Sequence, residues 1–341
     1  MNTKNQTLIL LSLLVVLLGV GNILWGSVSI PVRDVLSILA GHGSPAHPSW
    51  DYIVLESRIP QVITASLCGA ALSTCGLLLQ TLFRNPLAGP NILGIDSGAN
   101  LGVALVMLML GGSMTLGSIN LSGYLLVILA ALAGACAIMG VLILLASYLR
   151  SPVMLLITGV IISYVTSSVI SMLNFRATEE GVHNYIIWGM GNFNAVTAER
   201  LPLYCGLVAL GLLGALLLIK PLDALLLGDS YARNLGVSIR GTRNRLLLST
   251  GLLTAVTTAF CGPVSFIGLA VPHIARMVLR TSSHRVLMPG TMLTGATLTL
   301  LCNLLCTLPR SGSILPINVI TPLIGAPVIL YVILRRKESD Y

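Results

Sequence analysis

The chain has 341 residues, 55% of them hydrophobic and only 9% charged, against roughly 25% charged residues in soluble domains; with a mean hydropathy of +0.93 a water-soluble core is excluded. At about 20 residues per membrane crossing, roughly ten spans use up the chain and leave no room for a soluble catalytic domain. The net charge of +8 does not mark a nucleic-acid binder, because the basic residues are scattered between apolar runs, where membrane topology places them.

The first apolar run follows Lys4. It is longer than the ~7–15 residues of a signal-peptide core and ends in no small-x-small cleavage site, so it reads as span one, 8–26. A polar segment, 27–57, leads to span two, 60–79. Residues 84–102 then read RNPLAGPNILGIDSGANLG, apolar but broken by Pro86, Pro90, Gly94 and Gly98. Irregular backbone survives at membrane depth only inside protein or along a cavity, so a bent approach to span three, 92–111, is expected. Spans four and five, 122–149 and 153–173, flank Arg150-Ser151-Pro152. A polar stretch, 174–200, precedes span six, 201–219.

Residues 220–245 stand out. They read KPLDALLLGDSYARNLGVSIRGTRNR, with Lys220, Arg233, Arg240, Arg243 and Arg245 against Asp223 and Asp229. The middle, 229–236, is expected to form a short helix, with Leu226, Leu227, Tyr231 and Leu235 supplying one apolar side. A chain that only filled lipid would have no use for such a segment, so it reads as a cytoplasmic docking element. Residues 246–279 are too few for two full spans and too many for one, and Gly262-Pro263, Gly268 and Pro272 break them. Two crossings, at least one of them short, keep Arg276, Arg280, Arg285, Arg335, Arg336 and Lys337 inside. Spans nine and ten fall at 287–308 and 314–334. Both ends are then cytoplasmic, with fourteen of the nineteen Lys and Arg inside, a bias that sets orientation. If spans two to five and seven to ten are structural repeats, they must be inverted.

The chain lacks G-x-x-x-x-G-K-[ST], H-E-x-x-H and G-x-S-x-G, so no nucleotide-binding loop, metalloprotease helix or nucleophile elbow is expected, and no cofactor. Asp96 is the one acidic residue well inside an apolar stretch. It reads as a cap on span three near a membrane face; the competing reading, a coupling-ion site, belongs to a secondary carrier driven by an ion gradient. The seven cysteines lie in apolar runs without C-x-x-C spacing and read as small packing residues. His273, in VPHIAR, reads as a packing residue. Gly69, Ala70, Ala71 and Ser73, and Ala130, Ala131, Ala133, Gly134 and Ala135, are small enough to bring helices close. Arg58 and Arg310 fall at the outer face, where they could pair with carboxylates of a docking protein.

The chain resembles the FecCD-type permeases, the membrane subunits of importers for iron–siderophore complexes, haem and cobalamin. The motifs are RIP (58–60), GAALSTCG---Q (69–80), RNPLAGPNILGIDSGANLG (84–102), WGMGNF (188–193), PLDALLLGDSYARNLGV (221–237), GPVSFIGLAVPHIAR (262–276) and LP----T-LIGAP (315–327). The resemblance covers 58–337 and implies an all-α integral membrane protein of the type II ABC importer permease fold, about ten transmembrane helices in one permease domain, 1–341. It further implies a homodimer in the bacterial inner membrane, surrounded by lipid, with the pathway at the dimer interface. Two copies of a separate ATPase and a periplasmic or lipid-anchored substrate-binding protein complete the assembly, and the chain itself is no enzyme. The family's ATPase-coupling positions match Leu222, Gly228, Asp229, Ala232, Arg233, Leu235 and Gly236, and its outer arginine matches Arg58. Gln61 stands where a second arginine is usual, Asn318 where glycine is usual, Pro322 where a small residue is usual, and Val328 where an aromatic is usual.

Overall fold

The computed structural model describes residues 3–44, 47–109, 113–116, 119–149, 151–308 and 314–339; Arg150 and Arg310 lie outside them. Helix follows helix almost throughout, the arrangement that lets a chain in lipid satisfy its own backbone. In order these are α1 (Thr3–Leu24), α2 (Val32–Leu39), α3 (Pro48–Tyr52), α4 (Ile59–Phe83), α5 (Ile95–Ala104), α6 (Tyr124–Tyr148), α7 (Pro152–Arg176), α8 (Glu179–Gly189), α9 (Leu201–Leu217), α10 (Ile219–Leu226), α11 (Asp229–Asn234), α12 (Ile239–Cys261), α13 (Ile267–Leu279), α14 (His284–Cys306) and α15 (Ile317–Ser339). One short antiparallel hairpin, β1 (Ser113–Leu116) with β2 (Ile119–Ser122), joins the α5 run to α6. The polar segment 27–57 holds α2, α3 and a π turn at Ile53–Arg58 that runs straight into α4.

Five described helices are long and apolar enough to cross a membrane, or six if α9 and α10, bent by 44° at Leu218, count as one. The expected remainder fall short for visible reasons. Helix α12 begins with Arg240, Arg243 and Arg245, and the described apolar part of α15, which carries Pro322 and Pro327 inside an unbroken helix, runs only from Ile317 to Val332. The 13 residues of α13 reach only ~20 Å, against a hydrocarbon core of about 30 Å.

Helix α4 is the axis of the bundle. Most of its residues are buried, and its neighbours reach it through small residues. Gly69 meets Gly295 of α14 so closely that a Cβ at either would lie 2.3 Å from the other's carbonyl oxygen. Thr299 Oγ1 donates to the Ala65 carbonyl (2.8 Å) and Ser73 Oγ to that of Thr291 (3.1 Å). Gly76 touches the Gly268 carbonyl of α13, and Gly98 of α5 faces Gly134 of α6 in the same way. Without a hydrophobic drive between helices in lipid, such backbone approach and interhelical bonding hold the bundle. In span two Gly69 and Ser73, and in span four Ala130, Ala131 and Gly134, therefore bring helices close as their size allows, whereas Ala133 is exposed.

A short polar chain ties α1 to the axis. Gln61 Nε2 donates to Asn303 Oδ1 (3.0 Å), Asn303 Nδ2 to Asn22 Oδ1 (2.8 Å), and Asn22 Nδ2 to the Leu300 carbonyl (3.0 Å). The glutamine that departs from the family pattern is thus spent on α14, inside the protein.

Candidate functional site: the coupling segment and the broken helices

The 44° bend at Leu218 marks where the chain turns out of the bundle into 220–245. Two short helices form there, α10 and α11, joined by Leu227 and Gly228. Gly228 has φ +105° and ψ 155°, a region open essentially only to glycine. Helix α11 ends in a Schellman turn: Gly236 N donates to the Arg233 carbonyl (2.9 Å) and Val237 N to that of Ala232 (3.0 Å), with Gly236 at φ +79°. Ala224, Leu225 and Ala232 are buried together against Val237 and Ile239; Leu222 is buried in the main core. On the outside stand Leu227, Tyr231 and Leu235, 64%, 52% and 58% exposed, with Leu226 beside them. The short helix and apolar side expected from the sequence are both present.

Two contacts carry this segment into the bundle. Arg84, in a left-handed conformation at the end of α4, pairs with Asp229; both side chains are half-exposed, so the pair is worth less than about 1 kcal/mol and sets register more than stability. The second contact was not legible in the sequence. Ser283, at the N-cap of α14, makes no side-chain cap bond. Asp223 of α10 supplies one from a distance, accepting from His284 N (2.7 Å) while facing His284 Nδ1 (2.8 Å), and buried His284 Nε2 lies 3.0 Å from Thr81 Oγ1 of α4. A carboxylate at a helix N-terminus meets both orphan N–H groups and the positive end of the dipole. Replacing Asp223 with Ala is expected to cost ~1–2 kcal/mol, as loss of a cap does; thermal unfolding checks this, and Asp223→Asn should restore part of the loss.

Within the bundle two helices begin from broken backbone. Before α5 the chain makes a 3-10 turn at Pro90–Leu93 and turns at Gly94, φ +78°. Before α13 it runs irregularly through 262–266, with Phe266 at φ +67°. Each break follows a long helix, α4 and α12, and a cavity of about 150 Å³ lies between Pro90 and Ile92 on one side and Ser265 and Gly268 on the other. The broken backbone finds partners in protein. Asn318 accepts from Ser265 N (3.0 Å) and donates to the carbonyls of Pro263 (2.6 Å) and Gly189 (3.1 Å). A glycine here could not do this, so the departure at Asn318 has a local purpose. His273 Nε2 sits 2.8 Å from the Pro86 carbonyl, and Arg276 Nη1 donates to Gln80 Oε1 (2.6 Å), which ties the first break to α13 and fits the packing role expected for His273.

Two expectations need correction. Asp96 does not cap α5: Gly94 holds the N-cap position without a side-chain bond, and buried Asp96 accepts instead from Thr258 Oγ1 of α12 (2.6 Å). It lies between the packed helices α5 and α12. Arg58 does not present its charge outward. It is 4% exposed, and its guanidinium donates to the carbonyls of Ile23 (2.7 Å), Leu24 (3.3 Å) and Val28. Helix α1 has no basic residue in its last turn, so its orphan C-terminal carbonyls draw in the nearest arginine.

This geometry has close counterparts. A model of the FecCD transport family matches residues 11–335. The chain belongs to that family. The vitamin B12 import system permease proteins BtuC of Salmonella paratyphi A (strain ATCC 9150 / SARB42) and Salmonella typhi are each 34% identical to it over 323 residues, covering 92% of this chain and 94% of the relative. A solved structure of an ABC transporter of metal-chelate type, in an inward-facing conformation, superposes with a TM-score of 0.81 at 28% identity, covering 97% of this chain and 99% of that one. This FecCD chain is a multi-pass membrane permease of an ABC importer, a transport subunit and not an enzyme. That removes the secondary carrier driven by an ion gradient.

Proposed function

We propose that this permease moves a metal-chelate cargo, of the class of iron–siderophore complexes, haem and cobalamin, from periplasm to cytoplasm across a bacterial inner membrane. Both termini are cytoplasmic on this reading, and residues 1–341 act as one permease domain with about ten crossings, α12, α15 and the short α5 and α13 included. The chain pairs with a second copy of itself, two ATPase subunits and a periplasmic or lipid-anchored binding protein. Similarity to vitamin B12 permeases and to a transporter of metal-chelate type supports the cargo class.

One observation carries the mechanism: α10–α11 presents an exposed apolar surface while anchored to α4 through Arg84–Asp229 and to α14 through Asp223–His284. Closure of the ATPase dimer on ATP pushes Leu227, Tyr231 and Leu235. Leu222 and Ala232, buried behind them, make the segment move as one body, and Gly228 and Gly236 supply the turns at the two ends of α11. Asp229 and Arg233, one turn apart, keep register with α4. The push favours one arrangement of the helices over the other only by its differential free energy between them, which nucleotide binding on the partner supplies. On the outer side the binding protein docks where Arg58 fixes the end of α1, and Arg310, which falls between spans nine and ten in the sequence, is the second docking residue of this reading.

Photo-crosslinking from position 231 or 235 in the assembled complex tests this. Adducts to the ATPase are expected; adducts to the binding protein, or none to the ATPase, would overturn the docking assignment. In the same complex Arg233→Glu should separate ATP hydrolysis from cargo uptake while leaving the permease in the membrane. The binding protein's retained cargo identifies the substrate within the class.

A further inference from the structure

A cavity of about 620 Å³ opens between the C-terminal ends of α4 and α6, the first turns of α7 and α12, and the inner side of α11. Arg84, Arg233, Arg240 and Arg243 line it with a single carboxylate, Asp229, which already pairs with Arg84. Arg243 donates through Nη1 to the Leu149 carbonyl (3.2 Å) and through Nη2 to that of Ala146, but its buried Nε has no acceptor among the described residues. The remaining wall is mostly apolar, Phe83, Leu149, Val153 and Ile239 among others, with the hydroxyls of Thr81 and Ser147 set in it. Below it the exposed apolar surface continues along α6 (Leu144, Tyr148) and α7 (Val153, Met154, Ile157).

We propose that this cavity holds the headgroup of an anionic phospholipid of the cytoplasmic leaflet. Four guanidiniums against one carboxylate call for an anion, and the planar donor fork matches phosphate oxygens. Apolar walls running onto lipid-facing helix surface call for that anion to carry acyl chains. Basic pockets between helices at the cytoplasmic side are suited to such headgroups. The ATPase is the weaker fit, because Tyr231, the exposed apolar residue of α11, stands about half a turn away from Asp229 and Arg233, which line the cavity. The leaflet rests on the orientation proposed above; binding in detergent does not depend on it. The bound lipid would brace α11 against α4 and α6, making the position of the coupling segment sensitive to membrane charge.

Native mass spectrometry of the full-length permease in detergent, titrated with dioctanoylphosphatidylglycerol, dioctanoylphosphatidylcholine or inorganic phosphate, tests this. Phosphatidylglycerol should be retained in preference to phosphatidylcholine, and inorganic phosphate at equal concentration should not displace it. Arg240→Gln and Arg243→Gln should each weaken retention about fivefold, the effect of one interfacial basic charge. Arg243→Lys, which keeps the charge and covers the case where Arg243→Gln fails to fold, should retain most of it, and Arg285→Gln, on a different surface, should change nothing. Equal retention of the two lipids, unchanged retention in Arg240→Gln, or full displacement by phosphate would overturn the proposal. So would an Arg240→Gln variant that loses the ATPase but keeps the lipid, which would give the cavity to the protein partner.

Discussion

Gly236→Pro is expected to lower cargo uptake by the assembled importer about a hundredfold while the protein still reaches the membrane and unfolds at an unchanged temperature. Gly236 sits at φ +79°, whereas proline is fixed near −65° and lacks the N–H, a combined cost of ~3 kcal/mol or more. At about 1.4 kcal/mol per factor of ten, that shifts the populated form of the α11 turn by roughly two orders of magnitude. The cost stays local because no atom lies within 4 Å of a Cβ at Gly236, and because the turn closes an exposed helix outside the main core. Gly236→Ala meets only the left-handed penalty of ~1–2 kcal/mol and should fall between. Uptake and cargo-stimulated ATP hydrolysis, measured together, read the effect; normal stimulation in the proline variant would count against the segment's role.

The opposite pattern is expected from Gly76→Val, which should destabilise the whole bundle by at least ~3 kcal/mol, the upper end of overpacking costs. A Cβ at Gly76 would stand 1.6 Å from the Gly268 carbonyl oxygen. That obstacle is backbone, so no side-chain rotation relieves it, and α4 and α13 must separate. The same movement would break the Gln80–Leu269 bond at 3.2 Å and shift the broken start of α13. Gly206→Ala is the control, since nothing lies within 4 Å of its added carbon. Thermal unfolding in detergent should show a large loss for the first and none for the second.

The sequence made some of this legible because the governing physics is local. Pro and Gly spacing in 84–102 and 262–272 marks broken helices, since those residues cannot continue a buried helix without help. Charge in 220–245 marks an element outside the hydrocarbon, and the period of Leu227, Tyr231 and Leu235 marks its apolar face. Small residues in α4 and α6 mark close approach. Pairings between distant segments were not legible. Asp223 caps α14 across 61 positions and Asp96 meets Thr258 across 162, and nothing in either neighbourhood names the partner. Arg58 was misplaced because its position at the end of a polar stretch predicts exposure, whereas the unsatisfied carbonyls of α1 that bury it belong to a segment more than thirty residues earlier. The helical content of 27–57 escaped because α2 and α3 are only eight and five residues long, and only Val35 and Ile38 of α2 are buried, in a small cluster with Ile30 and Val54.

Uptake into sealed vesicles tests the central claim most directly, that force enters through α10–α11 and not through a buried ion site. Vesicles holding this permease alone, given cargo-loaded binding protein and an imposed proton or sodium gradient, should accumulate nothing; adding the ATPase and ATP should start accumulation, and Arg233→Glu should stop it. Accumulation by the permease alone, driven by the gradient and abolished by Asp96→Asn, would contradict the account.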